Sequence, residues 1–227
     1  MTPRSSLLTP HGFFITGTDT GVGKTLVTCA LLRALAARGL RVVGMKPVAA
    51  GIEQGRFPDV ERLIEAGNVA AAREWVNPYA FDPPIAPHIA AAHAGRRIEI
   101  AAIVAAFHKL AGMADRVVVE GAGGFRVPLN DREDFADLAR ALALPVVLVV
   151  GMRLGCLNHA LLTAEAVRAA GLPLAGWVAN HVDAAMLEPD ANVQALEDRL
   201  GCPLLARVPH LIDAPADPAV FRIDLLC

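Results

Sequence analysis

The stretch "GTDTGVGKT", residues 17–25, places a lysine and a threonine directly after a glycine-rich run. In a phosphate-binding loop, such a run turns backbone N–H groups toward phosphate oxygens, the lysine reaches the β- and γ-phosphates, and the hydroxyl holds magnesium. The strict pattern G-x-x-x-x-G-K-[ST] needs glycine at position 18, where this chain has Thr18; Gly17 stands one residue early. A glycine-rich turn with no ligand is the alternative, but such a turn has no need of Lys24 followed by Thr25. The residues therefore favour a nucleotide site.

Magnesium takes more oxygen ligands than one hydroxyl. Glu120 ends the apolar run "RVVVEG", where an acid facing the metal is expected. Asp59, in "RFPDVER", is a second acid, although taken alone it reads as a helix cap. Lys46, in "GMKPVAAG", ends another apolar run and could bring a fixed positive charge to a phosphoryl group in transfer. By itself it could equally be a solvated lysine. No Ser-His-Asp or Cys-His set stands out. The cysteines Cys29, Cys156, Cys202 and Cys227 form no C-x-x-C pair and read as small buried side chains or stray thiols.

These residues need elements to carry them. Near-continuous apolar runs at 12–17, 41–47, 115–121, 145–151, 174–180 and 203–209 read as strands buried on both faces. Helical spacing at 24–38, 133–143, 156–171 and 190–200 falls between them, with Gly39 as a helix stop. Alternation of this kind predicts an α/β fold, a doubly wound, mostly parallel sheet with helices on both faces, and the loop at 17–25 makes it P-loop NTPase-like. In such sheets ligands bind beyond the carboxyl ends of the strands. The stretch 47–100 is less regular, and its prolines at 83, 84 and 87 read as a loop ahead of a helix.

With 227 residues, 54% of them apolar, the chain fits a single domain over 1–227. A net charge of −2 without a basic stripe argues against nucleic acid as a partner. The N-terminus "MTPRSSLLTPHGFF" lacks an apolar export segment, and runs such as "LPVVLVVGM" are too short to span a bilayer. These features predict a soluble cytoplasmic protein with no membrane partner.

The segments "GTDTGVGKT", "MKPVAAG", "VNPYAF…APHIAA", "VEGAGGFRVPL", "VVGMRLGCLNHALLT" and "LAGWVAN" follow one another in this order. Together they closely resemble the dethiobiotin synthetase family over about residues 12–211, and the early glycine is that family's own form of the loop. The resemblance implies ATP- and Mg2+-dependent formation of dethiobiotin from 7,8-diaminopelargonic acid and CO2, by way of a carbamate and a carbamic–phosphoric anhydride. It implies that Lys46, the lead catalytic residue, and Lys24 gather the charges of carbamate and γ-phosphate. Gly21, Val22, Gly23, Lys24, Thr25 and Leu26 would wrap the phosphates, and Thr25, Asp59 and Glu120 would hold the metal. Gly121, Ala122 and Gly123 would join the nucleotide site, and Asn180, His181, Pro209, His210 and Leu211 its base side. Thr20 and Lys46 would touch the carbamate end of the substrate. Asn158 would receive the substrate carboxylate across the interface of a homodimer. Two positions depart from the family: Ala50 replaces a common hydroxyl residue, and Gly21 stands where some members carry glutamate.

Three rivals share this architecture. A partitioning-type ATPase would carry a second lysine early in the loop, where this chain has Thr18, Asp19 and Thr20. A cobyrinate-type amidating enzyme would bring a glutamine-hydrolysing domain with a nucleophilic cysteine. A regulatory module would bind ATP without forming product.

Overall fold

The computed structural model describes residues 11–211 and 215–226. The first ten residues, which carry most of the export argument, and Cys227 lie outside the described residues. Six strands form one parallel sheet: β1 (Gly12–Gly17), β2 (Val42–Met45), β5 (Arg116–Gly124), β6 (Val146–Gly151), β7 (Leu174–Asn180) and β8 (Leu204–Val208). Their order across the sheet is β2-β5-β1-β6-β7-β8. Two further strands, β3 (Val48–Ala50) and β4 (Tyr79–Phe81), pair in parallel as a second small sheet.

The apolar continuity of β1 follows from its central position, with β5 on one side and β6 on the other. Phe13 and Ile15 pack in the cluster that holds Leu31 and Leu35 of helix α1 (Lys24–Ala37). Phe14, between them, packs in the opposite cluster with Phe135 of α6 (Phe135–Leu142) and Ile103, Phe107 and Leu110 of α5 (Ile100–Ala111). A strand covered on both faces has no solvent side to mark with polar residues, so it reads as an unbroken run. A third cluster seats α7 (Cys156–Ala169) and α8 (Pro189–Leu200) against β6 and β7 around the fully buried Trp177. The expected doubly wound α/β sheet is present. Helix α1 stops where expected: Gly39, at φ +82°, bonds its N–H back to the Ala36 carbonyl at 2.9 Å.

The boundaries shift in two places that matter for the site. The run expected at 41–47 forms a strand only as far as Met45, the last residue of β2 that pairs with β5. Lys46 therefore stands just beyond the sheet edge. The strand expected at 115–121 continues to Gly124, because Gly17 of β1 still pairs with Gly124 after an irregularity in register.

The stretch 47–100 is more ordered than its sequence suggests. Besides β3 and β4 it contains α2 (Pro58–Ala66), α3 (Arg73–Val76) and α4 (Pro87–His93). Strands of three residues are too short to display a period, which is why they read as loop. Pro58 and Pro87 each sit in the first turn of a helix, where a missing N–H costs nothing. No helix among the described residues is long and apolar enough to cross a membrane.

Candidate functional site

The glycine-rich loop leaves β1 at Gly17 and enters α1 at Lys24. Its shape depends on Val22, which is only 1% exposed. A Cβ on Gly17 would fall 2.6 Å from Val22 Cγ2, and one on Gly151 at the end of β6 would fall 2.7 Å from Val22 Cγ1. Two strand-end glycines thus make the socket for the one apolar side chain of the loop. The early glycine serves as packing space for Val22. Thr18, which occupies the expected glycine position, ties the loop to β6: its N–H donates to Val149 O at 3.0 Å and its Oγ1 accepts from Gly151 N at 3.3 Å. Asn180, at the end of β7, donates through Nδ2 to Val22 O at 2.8 Å. A Cβ on Gly23 would lie 2.2 Å from that same Nδ2, and Gly23 takes φ +83°. Helix α1 has neither a side-chain cap nor an acid in its first turn. Its N-terminal N–H groups are left for an anionic ligand.

Across the loop, four polar groups meet. Lys46 Nζ donates to Glu120 Oε1 at 2.5 Å, to Asp59 Oδ2 at 3.2 Å and to Gly121 O at 3.4 Å. Thr25 Oγ1 donates to the same Glu120 Oε1 at 2.8 Å. Glu120 is fully buried, and its Oε2 has no hydrogen-bond partner among the described residues. An orphaned carboxylate oxygen beside a hydroxyl and a second carboxylate is a hard-oxygen donor set that fits a magnesium ion. Burial opposes the charge on Lys46, but Glu120 and Asp59 outweigh it and hold its pKa above the ordinary lysine value. Asp59 is likewise opposed by burial and held below the usual carboxylate range by Lys46. Lys24 differs: burial first, and then the neighbouring Lys46, push it down to about 8. Its Nζ donates to Asp19 O at 2.9 Å, inside its own loop.

These groups line a cavity of about 650 Å³. Of the residues expected at the site, Thr20, Gly21, Gly23, Lys24, Thr25, Leu26, Lys46, Asp59, Glu120, Ala122 and Gly123 all line it. Val22, Gly121 and Asn180 do not line it: Val22 is buried, the Gly121 carbonyl accepts from Lys46 Nζ, and Asn180 holds the loop through Val22 O. His181, Pro209, His210 and Leu211 follow the ends of β7 and β8 and do not line the cavity. His181 N donates to Val208 O at 3.0 Å, and the His210 ring nitrogen Nδ1 sits 3.2 Å from His181 O. Asn158 is exposed in the first turn of α7, outside the cavity. Within one chain, therefore, it is not brought to the other site residues.

The opposite wall is apolar, formed by Val48, Ala50, Pro84, Ile85, Pro87 and Val127. It comes largely from the stretch that read as irregular. Arg62, on α2 one turn past Asp59, also lines the cavity. It escaped the sequence reading because a lone arginine beside helical glutamates looks like a solvated face. Asp19 pairs with Arg153 at 2.5 Å, so an ion pair stands in the part of the loop where a partitioning ATPase would carry its second lysine. Cys29, Cys156 and Cys202 are free, and burial pushes Cys29 up to about 12 and Cys202 to about 11. Neither shifted thiol has nucleophile character.

The lowered pKa of Lys24 carries a pH dependence. A polyphosphate beside Nζ favours the charged form and raises that pKa. Above about pH 8 the free loop holds a neutral lysine and must take up a proton to bind, so affinity falls as pH rises through this region. Calorimetric titration of a nucleotide in buffers of different ionisation enthalpy at pH 8.5 is expected to show proton uptake. Lys24→Arg, charged throughout, is expected to show none.

A family model described as an AAA domain matches residues 11–216. The chain is 64% identical over 199 residues to the ATP-dependent dethiobiotin synthetase BioD of Nitrosospira multiformis, covering 88% of each chain. It is 55% identical over 220 residues to the ATP-dependent dethiobiotin synthetase BioD of Aromatoleum aromaticum, covering 95% of this chain and 97% of that one. Among solved structures, the cell division ATPase MinD of Pyrococcus furiosus matches with a TM-score of 0.56 at 19% identity, covering 88% of this chain and 84% of that one. A ParA family ATPase of Chlorobium tepidum matches with a TM-score of 0.55 at 15% identity, with the same coverage of 88% and 84%. At those identities the structural likeness speaks to the α/β P-loop fold alone. The two synthetases match at high identity over nearly the whole length, and the chain belongs to the ATP-dependent dethiobiotin synthetase family.

Proposed function

We propose that the protein converts 7,8-diaminopelargonic acid, CO2 and ATP into dethiobiotin, ADP and phosphate, within one domain spanning residues 1–227, in the cytoplasm. The observation that carries this reading is the convergence of Lys24 and Lys46 on one cavity with Thr25, Asp59 and Glu120, facing an apolar wall. Two cations suit a reaction that must bring two anions, a carbamate and a γ-phosphate, into contact. The apolar wall suits an aliphatic substrate chain.

In this reading one amine of the substrate adds to CO2 and loses a proton, giving the carbamate. A carbamate oxygen attacks the γ-phosphorus and ADP leaves. The second amine attacks the carbamoyl carbon and gives up one proton, which the departing phosphate can take; the ureido ring closes, and phosphate leaves with that oxygen. The residues act by alignment and charge neutralisation, and no strong protein base is required. Lys46 would move its contacts from Glu120 and Asp59 to the carbamate and γ-phosphate, while Lys24 exchanges the Asp19 carbonyl for phosphate oxygens. Thr25, Asp59 and Glu120 would hold Mg2+, which supplies neutralising charge on the triphosphate. Residues 21–26 and 121–123 would enclose the phosphates, with Thr20 at the carbamate end. Asn180, His181, Pro209, His210 and Leu211 would take the adenine. No nucleic acid or membrane enters the reaction.

Asn158 needs a second chain to take part. Leu154, 97% exposed, and Leu162, also exposed, flank it on the segment leading into and along α7. That pattern supports a homodimer in which Asn158 of the partner subunit receives the substrate carboxylate.

Incubation with ATP, magnesium, bicarbonate and the diamine is expected to give diamine-dependent dethiobiotin, read by mass spectrometry. Bound ATP with no product would favour a regulatory module instead. Lys46→Ala is expected to lower kcat by about 100- to 1000-fold while nucleotide still binds; undiminished turnover would remove its assigned role. Asn158→Ala is expected to raise the KM for the diamine by about 10-fold, the worth of one charge-assisted hydrogen bond, with the KM for ATP unchanged.

A further inference from the structure

Lys46 sits at a fork. The pairing of β2 with β5 ends at Met45, and the pairing of β3 with β4 begins at Val48. Between them Lys46 and Pro47 belong to neither sheet. The segment that faces them, residues 76–79, contains a second proline, Pro78. Neither Pro47 nor Pro78 has an N–H, so the backbone here is short of donors. A buried carbonyl left unpaired in such a gap is costly.

The side chain of Asn77 fills the gap. Lys46 N donates to Val76 O at 2.9 Å, and Tyr79 N donates to Pro47 O at 3.1 Å. Between these two backbone bonds, Asn77 Nδ2 donates to Lys46 O at 2.7 Å and to Tyr79 O at 2.9 Å. Asn77 is itself buried, and it does not line the cavity. One amide group therefore holds the main chain of Lys46 against the start of the second sheet, outside the cavity lining.

We propose that Asn77 is a positioning residue for Lys46: its amide fixes the backbone from which the Lys46 ammonium reaches the reacting oxygens. The proposal rests on the assignment of Lys46 above. The lysine side chain is long, so a small rotation of its backbone moves Nζ far. Misplacement of a catalytic group by about 1 Å can cost up to about 100-fold in rate. An aspartate would keep the shape but turn an acceptor toward both carbonyls. An alanine removes both donated bonds without adding repulsion, and serine keeps one shorter donor if alanine fails to fold.

The test is a double-mutant cycle in the full-length protein, with kcat and the KM for ATP measured for the wild type, Asn77→Ala, Lys46→Ala and the double variant. Urea unfolding midpoints confirm that each variant is folded at the assay temperature. Asn77→Ala is expected to lower kcat about 10-fold or more with the KM for ATP within about twofold of the wild type. In the Lys46→Ala background it is expected to cost no further kcat. A purely structural staple would instead lower kcat by the same factor in both backgrounds, or raise the KM for ATP in step, and either pattern overturns the proposal while leaving Lys46 in its role. Full turnover in Lys46→Ala would overturn the role of Lys46 and this proposal together, whereas a wild-type protein that forms no dethiobiotin would show that the reaction itself was misassigned.

Discussion

The contact of Lys46 with Glu120, 2.5 Å long and almost wholly out of water, is the interaction around which the site is arranged. Removing either partner would leave the other charge buried and unpaired, at a cost of about 3–5 kcal/mol. Sheet order makes the contact possible. Strand β5 lies between β2 and β1, so the lysine past the end of one strand, the glutamate on the next and the loop after the third are adjacent at one edge. Asp59 and Thr25 then complete the set from α2 and α1. Glu120 Oε2, which has no hydrogen-bond partner among the described residues, is an acceptor suited to a cation.

Two other constraints keep that arrangement in place. Val22, seated over Gly17 and Gly151 and gripped through its carbonyl by Asn180, anchors the phosphate loop to three strands at once. The small β3–β4 sheet does similar work for the opposite wall. It carries Val48 and Ala50, and through Asn77 it bears on the main chain of Lys46. The polar part of the site is thus built largely from strand ends, and the stretch 47–100 supplies most of the apolar lining.

The candidate site residues were readable because each stands at a strand end or at the loop-to-helix junction, where a polar residue after an apolar run stands out. Lys24, Thr25, Glu120 and Lys46 are of this kind. Asp59 was readable only through the family resemblance, since an acid in the first turn of a helix also has an ordinary capping use. The socket for Val22 was hidden, because close approach of a side chain to a distant glycine leaves no local pattern. The strands β3 and β4, three residues each, lie below the length at which alternation can be seen. Asn77 belongs to a segment that helped to identify the family, but its function is set by two prolines that are distant in sequence and adjacent in space. Asn158 was named by the family resemblance alone, and one chain leaves it on the surface.

In the proposed reaction the γ-phosphate passes to a carbamate oxygen and not to water. Single-turnover reaction with C18O2, quenched before the gas exchanges oxygen with solvent, tests it directly by mass spectrometry of the phosphate released. One 18O atom is expected in each phosphate formed alongside dethiobiotin, since that oxygen leaves the carbamate with phosphorus. Phosphate free of label, formed together with dethiobiotin, would contradict it.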